Sequence, residues 1–268
     1  MRTGAAVSQI LVENGRSAGV VLENGEEIRA KTVVSGANPY HTFVDLIDPC
    51  ELDPSFLRAV RQIKFRGAVS KMHLALDGLP QFTAMPDGEW HRLNGRIQIS
   101  PSLEYLEKAY DAAKYGQFSE RPYLNIRIPT LTDPTLAPQG KHIMSIHIQY
   151  TPFHLRQSTW QQQKETLAQT VLDTLTEYIP DLKKHILHYH LLTPTDLAQT
   201  YGLAEGSLYH GELMLDQLLF MRPVPGYAQY RTPIDNLYLC GAGTHPGGGI
   251  TGEPGRLAAQ AILQDLKQ

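Results

Sequence analysis

Polar and apolar residues change their rhythm several times along this 268-residue chain. From Ala5 to Ser35 they alternate in short runs, broken at Asn14-Gly15 and Asn24-Gly25. Such pairs close hairpins because both positions tolerate positive φ. The pattern predicts a three-stranded antiparallel meander, followed by a buried strand in "KTVVSGANP" that breaks at Gly36 and Pro39. Helical segments are expected over 39–46 and 54–63, and alternation returns in "GAVSKMHLALDG", residues 67–78. Residues 80–95 carry Pro, Gly and Asp without a period and read as a loop.

Ser102 stands before Leu103, Leu106, Tyr110 and Ala113 at helical spacing, which predicts a capped helix. "PYLNIRIP" and "KHIMSIHIQY" read as strands. Leu167, Val171, Leu175 and Ile179 recur every four residues, predicting the longest helix, which Pro180 ends. "HILHYHLLTP" is another strand, and the segment beginning Thr193-Pro194 caps a short helix. A strand at "NLYLC" and a last helix after Pro254 complete an α/β protein with α+β character.

Composition narrows the partners. At 42% hydrophobic and 19% charged, with a formal net charge of -3, the chain has no electrostatic pull toward nucleic acid or anionic membranes. Two cysteines, Cys50 and Cys240, make neither a disulfide framework nor a Cys-based zinc site. An intracellular home is expected, cytoplasmic in a bacterium or mitochondrial in a eukaryote. No run of about 18 apolar residues predicts a membrane span. Structure begins almost at the first residue, which suggests a compact amino terminus or a piece of something longer.

Three stretches could carry chemistry. "LYLCGAGTHPGGGITGEPGR" holds seven glycines and two prolines between a strand and a helix. Its bare backbone lets a ligand approach N–H groups, and the helix start adds the positive end of a dipole, which suits a phosphate or an electron-rich ring. A flexible connection is the plain alternative. The dinucleotide fingerprint is not met, because Pro246 stands where its third glycine belongs. In "GSLYHGELMLDQLLFMRPVPGYAQYRTP", His210, Gln217 and Arg222 lie among apolar residues, as orienting groups in a pocket or as a polar surface over a core. His188 and His190 share a strand face, as metal ligands or as a solvated edge. No neighbouring residue completes a ligand set, so no metal is expected. His73 and His147 read as packing or surface residues.

The run "HGELMLDQLLFMRPVPGYAQYRTPIDNLYLCGAGTHPGGGITGEPGRLAAQAIL" resembles the carboxyl flavin-binding signature of the phytoene-dehydrogenase-like FAD oxidoreductases. It is most similar to the group called pyridine nucleotide-disulfide oxidoreductase domain-containing protein 2. The similarity reaches back through residues 102–150 to the opening residues 2–39, covering nearly the whole chain.

The resemblance implies a partial Rossmann-like FAD-binding domain plus a substrate domain with a mixed β-sheet and flanking helices. Residues 1–65 would be the remnant of the FAD domain, 66–232 the substrate domain, and 233–268 the carboxyl FAD-binding strand-turn-helix. Val7 would meet the adenine. Ser35, Gly36 and Ala37 would end a strand near the cofactor. Gly241, Ala242, Gly243 and Thr244 would run beside the pyrophosphate and ribityl chain, and Gly248, Gly249, Ile250 and Thr251 would approach the flavin ring. His210 is the candidate catalytic residue.

The family's amino-terminal GxGxxG segment has no counterpart before Val7. The chain is therefore expected to be the carboxyl-terminal part of an oxidoreductase acting on an apolar or amine-type substrate, binding FAD weakly or not at all when alone. Self-association or a separate amino-terminal half would cover its exposed apolar surface. The alternative is a non-catalytic binding module that works only with a partner chain.

Overall fold

The computed structural model describes residues 1–85 and 89–267; Pro86 to Gly88, within the expected 80–95 loop, lie outside the described residues. In chain order the elements are β1 (Val7–Glu13), β2 (Arg16–Leu22), β3 (Glu27–Arg29), β4 (Val33–Ser35), α1 (Pro54–Arg61), β5 (Val69–Asp77), β6 (Ile97–Ile99) and α2 (Leu103–Lys114). They continue with β7 (Tyr123–Arg127), β8 (Lys141–Gln149), α3 (Trp160–Tyr178), α4 (Leu182–His185), β9 (Ile186–Leu192), α5 (Pro194–Tyr201), β10 (Leu237–Leu239) and α6 (Glu253–Asp265). The chain forms two compact units, residues 1–66 with 207–268, and residues 67–206.

The first unit starts with the expected meander, β1–β2–β3, paired antiparallel. Asn14 and Gly15 both take positive φ, which matches the tight turn their chemistry favours. β4 then runs parallel to β10, with Val33 opposite Leu237 and Ser35 opposite Leu239. The expected helix over 39–46 is a single π-helical turn, His41–Asp45. Asp53 caps α1, its carboxylate accepting from the Ser55 and Phe56 amides, and α1 turns Phe56, Leu57 and Val60 inward. Phe56 meets Phe43 and Tyr227 edge-on, at centroid separations of 4.9 and 4.8 Å.

The Leu239 amide donates to the Tyr230 carbonyl and so covers one edge of β10. The far edge of β4 pairs with nothing among the described residues, and Val34 there is exposed. Asp265, at the end of α6, accepts from Arg231 Nε and Nη2 and from the Tyr238 hydroxyl, which ties the helix back to β10.

Residues 207–232, expected with the middle segment, belong to this first unit. The buried Gln217 amide pairs with the Lys64 backbone as a strand would, accepting from its N–H at 2.8 Å and donating to its carbonyl at 2.9 Å.

The second unit is a five-stranded sheet in the order β6–β7–β8–β5–β9. A mixed sheet was expected, yet every ladder runs antiparallel. β8 and β9 do point the same way, joined through α3, but β5 lies between them and runs opposite to both. The parallel pair is thereby split. Alternation along the strands sends Met72, Leu74, Ile126, Met144 and Ile146 to one face, where Leu167, Val171 and Leu175 of α3 pack into the same cluster. Ser102 caps α2 through the Tyr105 amide, and Thr193 with Asp196 forms a capping box on α5.

Ile146 is fully buried at the centre of that cluster. Ile146→Ala is expected to lower unfolding stability by about 2–5 kcal/mol, since the close-packed layer cannot collapse into the space left. Urea titration followed by circular dichroism checks this.

Candidate functional site

The site lies in the first unit, where the carboxyl ends of the parallel strands β4 and β10 open into adjacent turns. Carboxyl ends of parallel strands are where open α/β sheets place their ligands. The two turns touch closely. A Cβ added to Gly241 would fall 2.6 Å from the Gly36 carbonyl oxygen, and one at Gly243 would fall 2.4 Å from Pro39 Cδ. These two glycines are thus required by contact between the protein's own turns. Gly36 is different, because its added Cβ would meet only Cys240 Sγ at 3.7 Å.

Arg222 holds this region from behind. It is 2% exposed, and its guanidinium makes five hydrogen bonds to backbone carbonyls. Nε donates to Gln217 at 2.7 Å, Nη1 to Tyr209 at 3.1 Å and Ala242 at 2.6 Å, and Nη2 to Gly211 at 2.8 Å and Glu212 at 3.3 Å. No carboxylate pairs with it among the described residues, and burial lowers its pKa. The segment 209–217 and the glycine turn are therefore fastened to one buried cation.

His210 sits beside Arg222 with φ of 55°. Its Nδ1 is buried and has no hydrogen-bond partner. Burial, and then the charge of Arg222, hold its pKa below the ordinary histidine value, so the ring is neutral. A cavity of about 10 Å³ adjoins His210, Gln217, Arg222 and Gly243, room for about one water.

Beyond Pro246 the turn changes character. Gly247 and Gly249 take φ of 108° and 113°, and Ile250, fully exposed, takes 60°. Positive φ at a β-branched residue costs about 1–3 kcal/mol. The amides of residues 247–252 donate to no acceptor among the described residues. Gly248 packs under the Tyr209 ring, where an added Cβ would come within 3.2 Å. The Thr251 hydroxyl accepts from the Glu253 amide and starts α6. Thr244, 1% exposed, spends its hydroxyl inside the turn, donating to the Gly241 carbonyl at 2.9 Å.

Val7 and Gly36 meet elsewhere in the unit, in a groove of about 480 Å³ that Val33, Ser35, Ala37 and His41 also line. Gly36 thus joins the groove to the glycine turn. Residues 248–251 do not line the groove. Asn38 escaped the sequence reading: it is buried, and its side chain accepts from the His41 amide while its carbonyl accepts from Thr42. The Asn-Pro pair after a strand was its one signal. The histidines of β9 gather no partners: among the described residues no three His, Cys, Asp or Glu side chains form a metal set. Among the same residues no helix is long and apolar enough to cross a membrane.

A run of unpaired amides at the start of α6, next to parallel strand ends, fits the phosphates or the electron-rich edge of a flavin nucleotide on the chemistry of its donors. The comparisons agree with that class. The chain belongs to the flavin containing amine oxidoreductase family, whose profile matches residues 1–263. It is 41% identical to pyridine nucleotide-disulfide oxidoreductase domain-containing protein 2 of Rattus norvegicus, over 99% of this chain and 47% of that protein. It is 29% identical to the lycopene-forming phytoene desaturase of a Paracoccus species, over 99% of this chain and 51% of the other. The chain spans about half the length of the curated relatives it matches.

Among solved structures, an oxidoreductase from Methanosarcina mazei aligns at a TM-score of 0.60 and 22% identity, covering 97% of this chain and 49% of that one. Cyclohexylamine oxidase from Brevibacterium oxydans aligns at 0.56 and 16%, covering 98% and 48%. Both show a shared fold.

Two outcomes follow from this geometry. Arg222→Met strips donors from five carbonyls and is expected to cost about 3–5 kcal/mol of stability, measured as a shift in the urea midpoint. His210 has a folded pKa below its unfolded value, so the unfolded chain takes up the proton first. Its contribution is constant above the unfolded value of about 6.5 and turns destabilising as pH falls through it. His210→Asn, which tolerates the same φ, is expected to flatten the fall in melting temperature between neutral and mildly acidic pH.

Proposed function

We propose that this chain is the carboxyl-terminal part of an FAD-dependent oxidoreductase, with its turn at 241–252 seated against the cofactor. The observation that carries the reading is the row of unpaired amides at 247–252 beside the ends of β4 and β10. Bound flavin would supply a two-electron acceptor for hydride leaving a C–H or C–N centre of an apolar or amine-type substrate.

The chain's own residues have separate tasks in this reading. Gly241, Ala242, Gly243 and Thr244 hold the turn in shape, and the Ala242 carbonyl is fixed inward on Arg222. Gly248, Gly249, Ile250 and Thr251 carry N–H groups that no acceptor among the described residues uses, and these would favour negative charge developing on the ring. Val7 and Gly36 line the groove that would take the nucleotide's adenosine end. His210, neutral and behind the turn, acts as a positioning residue. Residues 67–206 would recognise the substrate.

The unpaired edge of β4 supports a requirement for further polypeptide, because a two-stranded parallel sheet leaves its backbone donors and acceptors open. Exposed Leu213, Leu215, Leu219 and Phe220 add apolar surface that a partner segment or a second copy would cover.

The test is a titration with FAD, followed by quenching of flavin fluorescence, of this chain alone and mixed with the amino-terminal portion of the rat relative as a separate polypeptide. Weak binding alone and saturable binding in the mixture are expected. Tight binding by the chain alone would overturn the need for a partner, and no binding in either arm would overturn the flavin reading.

A further inference from the structure

The second unit has a face that its core does not use. Opposite the apolar layer, register places side chains in two rows. One row runs Gln98, Asn125, His147, Lys71, Leu192 across β6, β7, β8, β5 and β9. The next runs Arg127, Ser145, His73, His190 across β7, β8, β5 and β9. Neighbouring strands lie about 4.8 Å apart, so the basic groups of both rows fall within about 15 Å.

Among the described residues, the middle of this face carries no carboxylate. Lys71, on the middle of the face and half-buried, donates to no acceptor among the described residues. Its cross-strand partner is His147, and the diagonal charge is Arg127. Asp77 is the carboxylate on the same side of β5, and it is paired with Lys141 at the strand's far end. The groups that bear electrostatically on Lys71, His73 and His147 are all basic side chains, Arg127 on the first and Lys71, Arg96 and Arg127 among those on the others.

Lys71 and Arg127 are thus like charges on one face with no carboxylate paired to Lys71, an unfavourable arrangement for a sheet. Burial, then this crowding, brings Lys71 down to about 8 and His147 to about 4, and lowers His73 as well. A folded protein that keeps such an arrangement on a half-buried face breaks a local rule, as functional sites do.

We propose that this face of the five-stranded sheet binds an oxyanion, a carboxylate or phosphate group, on Lys71 and Arg127 with His73 and His147 as flanking donors. The anion would give Lys71 the counter-charge it lacks, and neutral imidazoles and Asn125 still offer N–H groups to a second oxygen. Such binding tightens as pH falls, because Lys71 carries its full charge below its folded pKa.

Two probes distinguish the sources: inorganic phosphate and acetate. Competitive acetylation of the wild-type chain near pH 8, where Lys71 is half-protonated, reads its amine directly by peptide mass spectrometry. Either anion is expected to slow labelling of Lys71 saturably, by about threefold or more, while exposed Lys108, paired with Glu104, is unaffected. Protection by one anion alone assigns the group. Calorimetric titration of Lys71→Met should then show about tenfold weaker binding of that anion. Equal protection of Lys71 and Lys108, or no protection by either anion, overturns the proposal, as does unchanged affinity in Lys71→Met. Should that variant fail to fold, the wild-type labelling remains decisive.

Discussion

The candidate site rests on one buried cation. Taking a guanidinium out of water is costly, and Arg222 has no carboxylate to offset that cost. Backbone carbonyls do so instead. Five of them converge from 209, 211, 212, 217 and 242, and each would be an unpaired buried acceptor if the side chain were removed. The arrangement also has a directional consequence. In a trans peptide the carbonyl and the following N–H point opposite ways. Fixing the Ala242 carbonyl on Arg222 therefore turns the Gly243 amide away from the guanidinium. The first part of the glycine turn is thereby held from behind.

This explains the division of labour among the glycines. Gly241 and Gly243 are small because Gly36 and Pro39 press against them. Gly247 and Gly249 are glycine because of their φ, and the strained Ile250 carries the chain on to α6 at a positive φ of 60° without that freedom. One stretch of sequence thus contains two structural problems, close packing and unusual backbone.

Much of the fold was legible because it is written in local patterns. The meander, both long helices, Ser102 as a cap and Pro180 as a stop depend on neighbours a few residues away, and those signals held. What could not be read depends on long-range pairing. The split arrangement of β8, β5 and β9 is set by which strand enters between two others, and no periodicity encodes that. The three-residue β6 was too short to show alternation. Gln217 reads as a polar residue in an apolar run, yet it imitates a strand against Lys64 from 153 positions away. Of the candidate site, the glycines were evident from composition, while the dependence of their shape on Arg222 was not.

The chain is acidic overall, with a formal net charge of -3, yet both surfaces singled out here are short of anions. Its carboxylates are largely occupied elsewhere: Glu212 by Arg66, Asp265 by Arg231, Glu177 by Arg121, Asp196 by Lys164. The glycine turn offers unpaired N–H groups, and the polar sheet face offers Lys71, Arg127 and imidazoles. Net charge governs how a protein behaves at a distance, but a site is chosen by the groups left unpaired within a few ångströms. Pairing most acids with surface bases leaves two patches of uncompensated donors on an acidic protein. Such patches favour ligands carrying negative charge at the point of contact, whatever the remainder of the ligand is.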